Sequence, residues 1–259
     1  MKITLARHHG MCFGVRDALR TTYDASKRGP ATILGQLVHN PLVDDHLRTL
    51  GVQQGHLEAP FTAATHTVVI TAHGAADRDR MAWKAAGHEV TDTTCPLVRK
   101  AHDALANLVE SGYFPVVIGQ ANHVEVRGLT GDFPEAMVVL HPADVDLLPQ
   151  QGRYGVISQT TQPLTRVLEL VAEIKRSRPT SEVRFVDTVC HPTKQRQKSL
   201  DDLCRACPII VVVGGKNSNN TRQLAETARQ RGCVAHQIER AAEIDPAWFK
   251  PGSEVGVTA

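Results

Sequence analysis

Short apolar runs alternate with amphipathic stretches along almost the whole chain. The runs are ITLA, TVVITA, PVVIG, MVVL, YGVIS, VRFV and PIIVVVGG. They are β-branched and bounded by turn residues, as expected for strands covered on both faces of a parallel sheet. Between them apolar residues recur at helical spacing in VRDALRTTYDASKR, PLVDDHLRTL, DRDRMAWKAAG, PLVRKAHDALANLVESG, PLTRVLELVAEIKRSR and NTRQLAETARQRG. Gly29, Gly51, Gly87 and Gly112 stand where the first four of these should end. Pro41, Pro96 and Pro163 stand near the start of three, where a missing N–H leaves no helix bond unmade. Strands alternating with helices of this length predict an α/β fold with mostly parallel sheets. Ligands in such folds gather where strands end and helices begin.

Three cysteines occupy such joins. Cys12 lies in ITLARHHGMCFGV, Cys95 in HEVTDTTCPLV and Cys190 in VRFVDTVCHPT. Their nearly even spacing divides the chain into three similar α/β domains. The first is residues 1–95 with Cys12, His39 and His73. The second is 96–190 with His123, Glu125 and Thr160, and the third is 191–259 with Ser218 and Asn220. One such cysteine alone reads as a small buried apolar residue. Three in matching positions can meet on a pseudo-threefold axis and supply three of the four ligands of a cubane iron–sulfur cluster, leaving one iron open. A thiolate at a helix N-terminus is also favoured by the helix dipole. Cys204, Cys207 and Cys233 do not share this setting. The C-x-x-C of Cys204 and Cys207 has no second pair downstream to complete a zinc site.

Histidines repeat the pattern: His39 in QLVHNPLV, His73 in VVITAHGAA and His123 in VIGQANHVEVRG each follow an apolar strand and open a helix. Imidazoles at helix N-termini suit a phosphate or diphosphate. Glu125, two residues beyond His123, reads either as a carboxylate stabilising the helix N-terminus or as a proton donor whose pKa is raised in a cleft. The loops SQTT (158–161) and GGKNSNNT (214–221) also follow strands. The second offers small residues and donors at a helix start, as an anion cradle or as an ordinary cap on Ser218 or Asn219, and it lacks the Walker A pattern.

Composition narrows the function classes. At 259 residues and 42% hydrophobic content the chain can bury sizeable cores. A net charge of +2 is too balanced to suggest nucleic acid. No run reaches the roughly 18 apolar residues of a membrane span. MKITLARHHG lacks the apolar core of a signal peptide, so free or metal-bound thiols in the cytoplasm are expected.

With these pieces in place the chain resembles, over residues 1–259, the 4-hydroxy-3-methylbut-2-enyl diphosphate reductase family, called IspH or LytB. The resemblance rests on MCFGV, LVHNP, TAHGA, DTTCPLV, NHVEVRG, SQTT, DTVC followed by T-x-x-RQ, and GGKNSNNTRQLAE, in that order. It implies three α/β domains around a 4Fe–4S cluster, which can fall to 3Fe–4S or be lost in air. It implies the last step of the non-mevalonate isoprenoid pathway, in which an allylic diphosphate loses its hydroxyl to give isopentenyl and dimethylallyl diphosphates. By the same resemblance Cys12, Cys95 and Cys190 would hold the cluster, and Glu125, Thr160 and His123 would deliver protons. His39, His73, His123, Thr160, Ser218, Asn219 and Asn220 would bind substrate. A flavodoxin- or ferredoxin-type donor is implied; nucleic acid and membrane are not. Asn219 replaces a second serine of the family and still offers a phosphate donor. Pro192 stands where the family has a small residue. The chain stops at GVTA (256–259), where the family continues with a G-A-S-T/A-P stretch and a helix. A C-terminal truncation relative to the family is therefore expected. The alternative function is a non-catalytic or weakly active iron–sulfur or redox-sensing homologue that has lost part of the diphosphate site.

Overall fold

The computed structural model describes residues 1–60 and 62–259. Strand β1 (Lys2–Leu5) is followed by α1 (Phe13–Arg28), β2 (Ala31–Leu34), α2 (Pro41–Thr49), β3 (Gln53–Gly55), β4 (Thr67–Ile70), α3 (Asp77–Ala85) and β5 (Glu89–Asp92). Next come α4 (Pro96–Glu110), β6 (Phe114–Ile118), α5 (Val124–Thr130), β7 (Met137–Val139), α6 (Pro142–Asp146), β8 (Arg153–Ser158), α7 (Leu164–Ser177) and β9 (Glu182–Phe185). The remainder holds α8 (His191–Ala206), β10 (Ile209–Val213), α9 (Asn219–Gln230), β11 (Val234–Ile238) and β12 (Glu254–Thr258).

Among the described residues these strands make three four-stranded sheets, ordered β3-β2-β4-β5, β7-β6-β8-β9 and β1-β12-β10-β11. Every neighbouring pair is parallel. This is the α/β class that the alternation predicts. β2 is buried at all four positions, and β8 is buried from Tyr154 to Ser158. Both faces of these inner strands are covered, which is why their sequences show no polar alternation.

The helices cover the sheets through stripes spaced three and four residues apart. α4 turns Val98, Ala101, Leu105 and Leu108 inward; α7 turns Val167, Leu170, Val171 and Ile174 inward. Leu105 packs with Val117 and Ile157, and Ile174 packs with Val116 and Tyr154. Full burial of one such Leu or Ile stabilises by roughly 1.5–3 kcal/mol. No helix among the described residues is long and apolar enough to cross a membrane.

The first boundary falls differently from the even threefold division. β1 pairs with β12, Lys2 opposite Glu254 and Leu5 opposite Val257. The two ends of the chain thus share the sheet of β10 and β11, and residues 1–95 contain the β2–β5 sheet plus a strand that belongs elsewhere. A strand pattern marks a strand but not its neighbour, because pairing is decided by packing far away in sequence. The chain forms two compact units. The terminal unit comprises Met1–Cys12, His39–Leu42 and Cys190–Ala259 and contains the β1-β12-β10-β11 sheet. The central unit comprises Phe13–Val38 and Val43–Val189 and contains the other two.

Candidate functional site

In the central unit the chemistry is concentrated at strand ends. Cys95 is the residue before α4, with Pro96 in the first turn, and its N–H donates to the Ala72 carbonyl at 3.0 Å. Asp92 shapes the turn that delivers it: Asp92 Oδ1 accepts the Thr94 N–H at 2.9 Å and the Thr94 hydroxyl. Burial pushes the Asp92 carboxyl up, but the Thr94 and Arg80 hydrogen bonds outweigh it and the net direction is down. The Cys95 thiol is half-buried. A Cβ placed on Gly14, in the first turn of α1, would lie 2.5 Å from its sulfur. Only glycine lets that helix pass so close to the thiol.

His73 lies in the turn after β4, several residues ahead of α3, so it does not open that helix directly as predicted. Its ring meets the ring of His123 edge-on, with centroids 5.6 Å apart. His123 does cap α5: its Nδ1 accepts the Glu125 N–H at 3.1 Å. That bond requires an unprotonated Nδ1, which leaves Nε2–H as the donor of the neutral ring.

Glu125 is 2% exposed, inside the first turn of α5. The Thr160 N–H donates to its Oε1 at 2.6 Å. Burial raises its pKa from 4.5 to about 7, against the opposing effect of the backbone and hydroxyl bonds from Thr160. Of the two sequence readings, a raised-pKa acid is the one this burial supports. Thr160 is buried in the loop after β8. Gln159, fully buried and given no role by the sequence reading of SQTT, anchors that loop. Its N–H donates to the Ile118 carbonyl at 2.8 Å, and its Oε1 accepts the Gln120 N–H at 3.2 Å. The ends of β6 and β8 are thereby tied together, and with them His123, Glu125 and Thr160.

The terminal unit carries the rest. Cys12 immediately precedes α1, and Cys190 immediately precedes α8 with Pro192 in its first turn. The Cys190 sulfur lies 3.0 Å from Oγ1 of buried Thr193. Arg196, one turn on, donates to the carbonyls of Ala259 and Gly10. Thr193 and Arg196 are two of the three fixed letters of the T-x-x-RQ motif. That motif was the signal for both, although it carried no role for either.

Burial, then the nearby Arg222 charge, lowers the His39 pKa, so this imidazole is held neutral. A Cβ on Gly215 would lie 2.1 Å from the His39 carbonyl oxygen, so the Gly214–Gly215 turn can lie flat against that backbone only as glycine. Ser218 caps α9 by accepting the Thr221 N–H at 3.3 Å, with buried Asn219 and then Asn220 in the first turn. The Ser218 hydroxyl proton and the Asn220 amide remain suited to an anion at that helix start.

The donor set can be tested against an iron–sulfur cluster. All six cysteines are free of disulfides. Cys95 and Cys190 precede helices, Gly14 clears space beside the Cys95 sulfur, and a hydroxyl sits beside the Cys190 sulfur. Soft thiol donors with polar support suit iron–sulfur chemistry rather than a hard cation. Taken one by one, these thiols suit such a cluster chemically. Among the described residues, Asp77, His102 and Asp132 form a group whose ligating atoms lie within 4.8 Å of one another. Asp77 there already pairs with Arg80 and Arg99, and Asp132 accepts the Asp77 and Arg78 N–H groups at the start of α3. It reads as an ion-pair network.

Comparison with known proteins gives one consistent answer. The LytB protein family pattern matches residues 3–259. A 4-hydroxy-3-methylbut-2-enyl diphosphate reductase of Pelobacter propionicus is 38% identical over 264 residues, covering 100% of this chain and 92% of that protein. The protein of the same name from Aquifex aeolicus is 34% identical, covering 99% of this chain and 90% of that protein. Among solved structures, the E-1-hydroxy-2-methyl-but-2-enyl-4-diphosphate reductase of Plasmodium falciparum superposes with a TM-score of 0.92 at 27% identity, over 99% of this chain and 82% of that one. A structure of (E)-4-hydroxy-3-methyl-but-2-enyl diphosphate reductase, described as the terminal enzyme of the non-mevalonate pathway, matches with a TM-score of 0.71 at 33% identity, over 100% and 92%.

Proposed function

This chain belongs to the LytB family, and on that premise we propose that it is an oxidoreductase that removes the allylic hydroxyl of 4-hydroxy-3-methylbut-2-enyl diphosphate. The hydroxyl leaves as water when two electrons and two protons are taken up, giving isopentenyl and dimethylallyl diphosphates. The observation that carries the reading is Glu125, a buried carboxyl with a pKa of about 7 held by Thr160 beside His123.

Cys12, Cys95 and Cys190 would hold a 4Fe–4S cluster. Bound there, such a cluster would supply electrons and Lewis acidity toward the hydroxyl. The chain's own residues bind, orient and donate protons. His39, His73, His123, Ser218, Asn219 and Asn220 bind the diphosphate, the first as a neutral donor and Ser218 at the start of α9. Anchoring the charged end of the substrate uses remote binding energy to orient the reacting end. Glu125, half protonated near neutrality, holds the proton that goes to the leaving oxygen. Thr160 fixes that carboxyl through its N–H and hydroxyl. A flavodoxin- or ferredoxin-type protein in the cytoplasm supplies the electrons.

Anaerobic purification with iron and sulfide analysis, joined to turnover of the hydroxylated diphosphate with dithionite and a viologen dye, tests the reading. About four irons per chain and formation of both products are expected. A chain loaded with iron and sulfide that leaves the substrate untouched overturns it.

A further inference from the structure

The central unit contains a buried cation with no part in the chemistry above. Arg80 is 9% exposed, in the first turns of α3. Its Nε donates to Asp92 Oδ2 at 2.9 Å, and one terminal nitrogen donates to Thr94 Oγ1 at 3.0 Å. The other terminal nitrogen donates to the Ala75 carbonyl and to Asp77 Oδ1, the latter at 2.9 Å. Two of these partners, Asp92 and Thr94, form the turn that ends at Cys95. The Ala75 carbonyl belongs to the turn that carries His73. The two turns are in contact elsewhere too. The Cys95 N–H donates to the Ala72 carbonyl at 3.0 Å, and a Cβ on Gly74 would lie 3.1 Å from the Thr94 methyl.

A planar guanidinium has the reach and the fixed fork to tie three acceptors on two segments at once. Buried and charge-assisted, those bonds are the strong kind. We propose that Arg80 is a positioning residue that locks the His73 turn and the Cys95 turn into one register, so that the anion-binding imidazole and the thiol keep a fixed offset. The role rests on the functional reading above in giving His73 and Cys95 their tasks. Arg99 reaches Asp77 and Asp92 from the more exposed side, at 3.2 and 2.9 Å, and touches neither Ala75 nor Thr94.

The test uses the full chain with its cluster. Amide hydrogen exchange read by mass spectrometry compares wild type with Arg80→Met, Arg80→Lys and Arg99→Gln, and steady-state kinetics follow on each. For Arg80→Met, segments 72–76 and 93–96 should exchange about tenfold faster while β6 and β8 keep their protection. KM for the diphosphate should rise about tenfold with a smaller change in kcat, because the loss is of placement rather than of the acid. Arg80→Lys keeps the charge beside Asp92 but not the fork. It should show the same pattern at lower amplitude, and it carries the test if Arg80→Met does not fold. Arg99→Gln should stay within about twofold of wild type in both readouts. Unchanged exchange in the two segments, exchange rising equally through the whole unit, or an unchanged KM overturns the proposal. If wild type lacks turnover, the functional reading fails, while exchange still decides whether Arg80 locks the turns.

Discussion

Glu125 shows how far one side chain can be argued. Its carboxyl is buried, and its pKa rises from 4.5 to about 7 because burial disfavours the charge more than the Thr160 bonds favour it. The proton is therefore held more tightly in the folded chain than in the unfolded one. Below about pH 4.5 both states carry it and the folded state bears no penalty; as pH rises toward about 7 the unfolded state gains by ionising, and stability falls. The shift corresponds to a loss on the order of 3 kcal/mol across that window. Glu125→Gln should remove that slope, seen in urea unfolding series at several pH values, and should lower turnover by about a hundredfold or more while iron content stays unchanged. Equal pH slopes, or undiminished turnover, would remove Glu125 from the proton path. The candidacy of Glu125 was legible from NHVEVRG alone. Its partner was not, because Thr160 comes from a loop 35 residues on, and only the pairing of β6 with β8 brings the two together.

At the scale of elements, Gly14 and the Cys95 turn set two effects against each other. Replacing a glycine inside a helix by alanine ordinarily stabilises by about 1 kcal/mol. Here the added Cβ would sit 2.5 Å from the Cys95 sulfur, and overpacking of that kind costs about 1–3 kcal/mol. The clash wins. Gly14→Ala should melt at a lower temperature and bind less iron per chain than wild type, and a variant with full iron and a higher melting temperature would contradict the close approach. Cys95→Ser should lose cluster iron without such a clash. Six helices and seven strands could be read from apolar spacing; the signal is cleanest in α4 and α7, whose inward stripes are almost wholly Val, Ile, Leu and Ala. α8 was not delimited, since HPTKQRQKSLDDLCRA is mostly polar and buries Thr193, Arg196 and Ser199 alongside two leucines. β3, of sequence QQG, has no apolar signal at all; it forms because its backbone pairs with β2.

Over the whole molecule, the feature that periodicity could not supply is the closing of the chain ends. β1 contributes only four residues, of which Ile3 and Leu5 are largely exposed, so its own apolar burial is small. What it contributes is pairing. The Lys2 and Ala6 N–H groups donate to the Ser253 and Val257 carbonyls at 2.9 and 2.8 Å, covering the side of β12 that faces away from β10. This contact joins segments about 250 residues apart, so the sheet of the terminal unit cannot be completed until β12 is made, and its formation should be slow relative to that of the two sheets built from nearer segments. Ala6→Pro removes one of those donors at a position only 2% exposed and packed with Leu200 and Ile210. Losing the bond and straining the site should destabilise the sheet by about 1–3 kcal/mol. Native-state hydrogen exchange should then show amides of β10 and β12 exchanging faster while those of β6 and β8, in a sheet with its own core, keep wild-type protection. Equal acceleration in all three sheets would mean that they open as one cooperative unit, and that the pairing of β1 with β12 limits the stability of the entire chain.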